Sequence, residues 1–344
     1  MIQKFKISRD DNWYEAWPDV VLTRGGKLIC VFTQTTHHGD RSASRLVLIE
    51  SMDRGRTWTN KRALTETTSG RPYWNCARIS RLSGGRLAIV ADRISGAKES
   101  NARNYLWFAD EEGMKWSGPI ETPLEGIVPD KLCELPSGRW LLSAHDRDGQ
   151  WLRYSDNEGK DWSEPVLIAS QEGLKLCEVS ILPLQDGTLV AFLRENSGEG
   201  WDCYKTISRD SGESWSDLYR TPLPGCHRPV AGLLQSGTVL ITYRFMQGGK
   251  GWLGKWTQNF FASITDQESA AAENRKDQWT RIMPVDYDRS PVSDLGYSGW
   301  VQFEDGEIYV VNYIVDDAPK GQIRGYSFRE NDFLLEPAAA LGES

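Results

Sequence analysis

The side chains in this sequence that could do chemistry recur beside short apolar segments. In chain order they are Glu15 and Asp19, then "QTTHHGDRS" with His37, His38 and Asp40. Asn75, Asp92, Arg93, Asp130, Lys131 and His145 follow, and after them Glu178, Arg194, His227, Arg228, Arg244 and Tyr297. Carboxylates, imidazoles, guanidinium groups and a phenol are the residue types of proton transfer and anion binding. One charged residue at the end of a strand is ordinarily just solvated. The same placement in segment after segment points instead to a shared polar pocket.

The elements that must position these residues are visible as a repeat. "VVLTRGGKLICVF", "ARISRLSGGRLAIVA", "KLCELPSGRWLLSA", "VSILPLQDGTLVAFL", "VAGLLQSGTVLITY" and "GWVQFEDGEIYVVN" each read as two strands rich in Val, Ile and Leu. A glycine turn joins each pair. The second glycines, Gly26, Gly85, Gly138, Gly187, Gly237 and Gly306, are spaced 59, 53, 49, 50 and 69 residues apart. A pitch of this size is the mark of a repeated supersecondary unit. A third strand such as "RLVLIE" or "YKTIS" follows in each early unit, then a polar turn ending in Trp. The expected fold is therefore all-β: a six-bladed β-propeller with four-stranded blades, forming one domain over residues 1–344. "QESAAAENRK" (267–276) is the only helix-like stretch and is expected as an insertion in blade five.

The polar turns read "SMDRGRTW" (51–58), "ADEEGMKW" (109–116), "SDNEGKDW" (155–162) and "SRDSGESW" (208–215). An Asp there accepts hydrogen bonds from turn amides, the Gly takes the left-handed conformation and the Trp packs between sheets. These turns are expected to pin the fold rather than to do chemistry.

Composition narrows the partners. The formal net charge of −8, spread along the chain, argues against nucleic acid. No apolar run reaches the length of a membrane span, and the N-terminal residues lack the pattern of a secretory signal. The six cysteines form no CxxC pair and read as buried free thiols, so a cytoplasmic location is expected. Neither they nor the four histidines have ligand spacing, so neither a metal nor another cofactor is expected.

The S-x-D-x-G-x-T-W pattern resembles the Asp box of the sialidase (neuraminidase) superfamily, and at the level of fold the resemblance covers essentially the whole chain. It implies a carbohydrate substrate and assigns roles by blade and order. The family's Glu opening blade four and the Arg ending that hairpin match Glu178 and Arg194. A further Arg of its carboxylate clamp matches Arg228, and its nucleophilic Tyr, followed by Ser, matches Tyr297 and Ser298. The acid/base Asp in the loop after the first hairpin matches Asp40. Sialic acid carries a carboxylate on its anomeric carbon, which repels a carboxylate nucleophile; a neutral Tyr with a neighbouring base avoids this.

One position departs from the family. The Arg-Ile-Pro triplet that opens blade one is here Ala16-Trp17-Pro18, so the first clamp Arg is absent. Arg41, Arg71, Arg93 and Arg244 are candidates to replace it. His37 and His38, beside Asp40, add groups suited to proton transfer near neutral pH. Asp19, Arg93, Asp130, His227 and Arg244 complete the expected substrate-binding set.

The resemblance implies a retaining exo-glycosidase that removes a terminal acidic sugar. Two alternatives stand beside it. One is a uronate lyase or His-dependent glycosidase on the same scaffold, using Arg228, His227 and Tyr297. The other is a non-catalytic sugar-binding propeller using Trp17, Trp74, Trp201 and Trp300.

Overall fold

The computed structural model describes residues 2–96, 101–197, 203–247 and 257–334. They form six antiparallel sheets. In each of the first five, the chain runs from the inner strand to the outer one, as in blade four: Leu176–Pro183, Leu189–Glu195, Cys203–Ser208 and Tyr219–Arg220. Blade six is built differently. Its inner three strands, Leu295–Gln302, Ile308–Ile314 and Gln322–Phe328, are completed by Gln3–Ser8 from the N-terminal end, with Lys4 opposite Tyr326. That strand closes the ring between the first and last blades.

The hairpin glycines behave as their spacing predicts. All six second glycines have φ between 84° and 90°, a region closed to most side chains. The apolar alternation fills six separate clusters, one at each blade–blade boundary. Leu182, Val190 and Phe192 of blade four, for example, pack against Val239, Ile241 and Tyr243 of blade five. Burial of such faces is the main force holding neighbouring blades together.

The polar turns lie between the third and fourth strands. In the first, Ser51 donates to Asp53 at 2.8 Å, and Asp53 accepts from the Thr57 amide at 2.8 Å and its hydroxyl at 2.6 Å. Tyr309 of blade six donates to the Gly55 carbonyl, and its ring occupies the space a Cβ at Gly55 would need. In "ADEEGMKW" the turn-holding carboxylate is Asp110, one position earlier than the pattern suggests; it accepts from the Glu112 and Met114 amides. Blade five has the short helix Gln267–Ala271 at this place, with Trp279 donating to Asp266. No helix among the described residues is long and apolar enough to cross a membrane. Of the six cysteines, all but Cys133 are buried.

Candidate active site

The inner strands share one irregularity, and it builds the site. In blades one, two, four, five and six the pairing with the second strand slips between Ala16 and Asp19, Trp74 and Ala77, Cys177 and Ser180, His227 and Val230, and Gly296 and Gly299. A bulge of this kind re-aims a side chain and is common beside functional sites. Trp17, Glu178, Arg228 and Tyr297 lie in these bulges with φ of 49° to 54°, as does Val128 of the interrupted blade-three strand at 52°. Left-handed backbone at such bulky residues costs about 1–3 kcal/mol each and persists where the surroundings enforce it. With Asn75 of blade two they form a ring of six positions, nine or ten residues before the hairpin glycines. That offset from the glycine repeat is a signal that finds the whole ring from sequence.

Above the ring lies a hollow of about 310 Å³. Tyr297 donates to Glu178 Oε1 at 2.5 Å, and Arg194 Nη1 donates to the same oxygen at 2.7 Å. The other terminal nitrogen of Arg194 bonds Asn196 at 2.7 Å. The His145 Nδ1 accepts from the Glu178 amide at 3.3 Å. Burial alone would raise the Glu178 carboxyl, but the charges of Arg194, Arg244 and Arg228 hold it well below the usual carboxylate range. Burial, then the facing Glu178 charge, pushes the Tyr297 phenol well above its ordinary value. His145 is lowered to about 4 by burial. The tyrosine is thus protonated and the glutamate ionised, the right pairing for a nucleophile and its base.

The hollow is cationic although the protein is acidic. Arg41, Lys175, Arg194 and Arg244 line it, and Glu178 is the one carboxylate among its lining residues. Arg244 is 1% exposed and donates through Nε to the Leu295 carbonyl at 2.5 Å, leaving Nη1 and Nη2 without a protein acceptor. Its guanidinium lies against Gly296, where a Cβ would come within 3.0 Å of both Nε and Nη2. Arg41 lies 4.0 Å over the Trp17 ring and donates to Asn75 at 3.3 Å, while its Nη1 has no acceptor. Two guanidinium groups with buried, open terminal nitrogens suit a carboxylate ligand.

The remaining expected residues fall elsewhere. Asp40 is exposed at the turn after the first hairpin, its carboxylate taken by the Ser42 amide at 2.8 Å, and it does not line the hollow. His37 is also exposed and packs on Tyr14, whereas His38 is buried and lines the hollow. Asp19 ties blade one to blade two, accepting from the Val20 and Ile79 amides, and Asp130 ties blade three to blade four through the Ile181 amide. Arg228 is completely buried beneath Tyr297, with Nη1 on the Val179 carbonyl and Nη2 on that of Pro129. It tunes Glu178 by its charge but has no terminal nitrogen turned to the hollow. His227 is buried outside the lining, and Arg93 lies over Trp74 in a separate groove between blades one and two. Arg71 is exposed.

Of the aromatic candidates, Trp17 lines the hollow, Trp74 packs against Trp107, and Trp300 bonds the Val230 carbonyl. Trp201 is outside the described residues. His145, one of the polar residues singled out in the sequence, lines the hollow; Lys175 and Asn196, which also line it, and the buried Asp294 behind His38 were not among the expected site residues. No cluster of metal-ligating side chains occurs among the described residues.

Six four-stranded blades around a cationic axial hollow define a propeller of the sialidase superfamily. The chain belongs to the BNR repeat-like domain family, whose model matches residues 66–310. An anhydrosialidase of Macrobdella decora is 25% identical over 239 residues, which are 60% of this chain and 29% of that protein. The chain therefore spans less than a third of that relative's length. Among solved structures, a Dyadobacter fermentans protein of unknown function superposes with a TM-score of 0.77 at 19% identity, covering 95% of this chain and 99% of the other. The K499G mutant of NanB sialidase from Streptococcus pneumoniae gives 0.72 at 13% identity, over 95% and 71%. At these identities the structural likeness carries the fold.

Proposed function

We propose that this protein is a retaining exo-glycosidase of sialidase type, hydrolysing the bond to a terminal acidic sugar. The observation that carries the reading is the contact of Tyr297 with Glu178 at 2.5 Å inside a hollow lined by four cationic side chains. Tyr297 Oη would attack the anomeric carbon as its proton passes to Glu178, and the resulting aryl glycoside would be hydrolysed by water. Arg194 holds Glu178 in place. Arg244 and Arg41 present open nitrogens to the substrate's carboxylate, and Arg41 stands in for the guanidinium lost at Ala16. The distant likeness to an anhydrosialidase supports the same class of substrate.

The test is a panel of 4-methylumbelliferyl glycosides, with sialyl and uronyl members, offered to the wild type and to Tyr297→Phe alongside oligo-uronates. Release from an acidic glycoside that disappears with Tyr297→Phe supports the proposal. An unsaturated product absorbing in the ultraviolet would replace hydrolysis by elimination. Sugar binding without turnover, equal in wild type and variant, would leave a lectin-like propeller.

A further inference from the structure

Asp40 faces solvent, so the proposed reaction needs another group to pass a proton to and from the leaving oxygen. His37 and Asp40 pair at the end of the hairpin formed by strands Leu28–His37 and Asp40–Ser51, and His38 and Gly39 form the two-residue turn between them. The turn directs the His38 ring inward, where Trp17 meets it edge-on at 5.1 Å and Trp17 also packs against Tyr297 at 6.3 Å. Behind the ring, Nδ1 is bonded to Asp294 Oδ2. Asp294 is 1% exposed and is further held by the hydroxyls of Tyr14 and Tyr313. Burial would raise this carboxyl, but His38 above all keeps it below its ordinary value. An ionised carboxylate only accepts hydrogen bonds, so Nδ1 carries the proton of that contact and Nε2 becomes the exchanging nitrogen.

We propose that His38, positioned by Asp294, is the proton-transfer residue of this site; the inference rests on the glycosidase reading above. In the first step the anomeric carbon forms a bond to Tyr297 Oη, whose proton goes to Glu178. The glycosidic bond breaks with its electron pair on the departing oxygen, which takes the proton from His38 Nε2. In the second step water attacks the same carbon and gives a proton back to Nε2. The pair of the breaking carbon–oxygen bond then stays on the tyrosine oxygen, which recovers its proton from Glu178.

Among the described residues, the charged and titratable groups around His38 include Asp294, Arg41, Arg244, Tyr14, Tyr313 and, through Trp17, Tyr297. Burial lowers the imidazole, the Asp294 charge opposes that, and Arg41 and Arg244 add to the lowering. The acid form is therefore lost at lower pH than for an exposed histidine, and turnover of a poor leaving group falls on the alkaline side.

The experiment compares kcat/KM for a natural disaccharide with that for the 4-methylumbelliferyl glycoside, whose phenolate departs without a proton. His38→Ala is expected to lose roughly 10²–10⁴-fold on the disaccharide and less than about tenfold on the aryl glycoside. Asp294→Asn is expected to shift the alkaline limb for the disaccharide down by about one pH unit, because the neighbouring negative charge is gone. Thermal melts and circular dichroism check the fold of each variant. If His38→Ala does not fold, His38→Gln replaces it. The downfield Nδ1 proton resonance of the wild type, absent in Asp294→Asn, reports the dyad without turnover. Equal loss on both leaving groups, or an unmoved alkaline limb with the resonance unchanged, overturns the dyad while leaving a Tyr297-dependent glycosidase. A wild type that cleaves no acidic glycoside overturns both.

Discussion

Two layers of the same axis use the same residue types for different ends. In the upper layer Arg244 keeps both terminal nitrogens open, and Glu178 has one oxygen, Oε2, without a donor. One layer below, Arg228 directs its terminal nitrogens to two carbonyls, and Arg78 does likewise with the carbonyls of Pro18 and Ser298. Asp19 and Asp130 accept from amides of the neighbouring blade. Burial is nearly complete in both layers, so burial does not separate binding groups from structural ones. What separates Arg244 from Arg228 and Arg78 is whether the terminal guanidinium nitrogens already have partners. An unpaired buried donor is costly and is kept where a ligand can meet it.

Substitution at each layer can break this distinction. The largest effect is expected for Tyr297→Phe, which should lower kcat on an acidic aryl glycoside by roughly 10³-fold or more with an unchanged melting curve. Arg244→Lys keeps the charge and loses the fork. It should raise KM for the same substrate by about 10–100-fold, the worth of one or two charge-assisted hydrogen bonds. Arg228→Met, one layer down, should act on stability instead. Leaving the Val179 and Pro129 carbonyls unpaired costs about 2–3 kcal/mol, read from denaturant unfolding, whereas Arg244→Met frees only the Leu295 carbonyl while removing two unpaired buried donors, and should stay within about 1 kcal/mol of wild type. If the two arginines gave the same stability loss, the contrast between layers would fail.

Acid sharpens the comparison at His145, which accepts from the Glu178 amide only while neutral. Its folded value of about 4 lies below the ordinary value of about 6.5. The unfolded chain therefore binds the proton first as pH falls. Stability from this group is complete above about pH 6.5 and is lost on the way down through pH 4, amounting to roughly 3 kcal/mol. His145→Gln should show a flatter stability profile than wild type between pH 7 and 4.5. The smallest effect is expected for Asp40→Asn. A positioned acid is worth about 10²–10⁴-fold, and a change under about threefold in kcat/KM would place Asp40 outside the machinery.

Much of the architecture was legible because glycine spacing reports a backbone requirement, and six blades follow from six turns of one kind. The closing strand Gln3–Ser8 was not, since six residues of alternating character carry no mark of a partner more than 300 positions away. Glu178 and Tyr297 were matched through the family resemblance by blade and order, and the structure puts both in bulges nine residues before a hairpin glycine. The loop after the first hairpin was harder. His37, His38 and Asp40 are all compatible with a catalytic loop, and only the turn closed by the His37–Asp40 pair decides which side chain enters the hollow. Polarity on the axis also misled. Asp19 and Asp130 are there because bulged strands free amides that need acceptors, a demand invisible without the register.

The strand borrowed from the N-terminal end has a consequence for synthesis. Gln3–Ser8 leaves the ribosome more than 300 residues before its partner, Gln322–Phe328. Blade six, which supplies Tyr297, cannot be completed until both have emerged, so an interrupted translation product holds the blade-four glutamate without the phenol that faces it. On the proposed mechanism such a chain would be inert toward substrate until blade six closes, and the delay falls on one strand pair more than 300 residues apart in sequence.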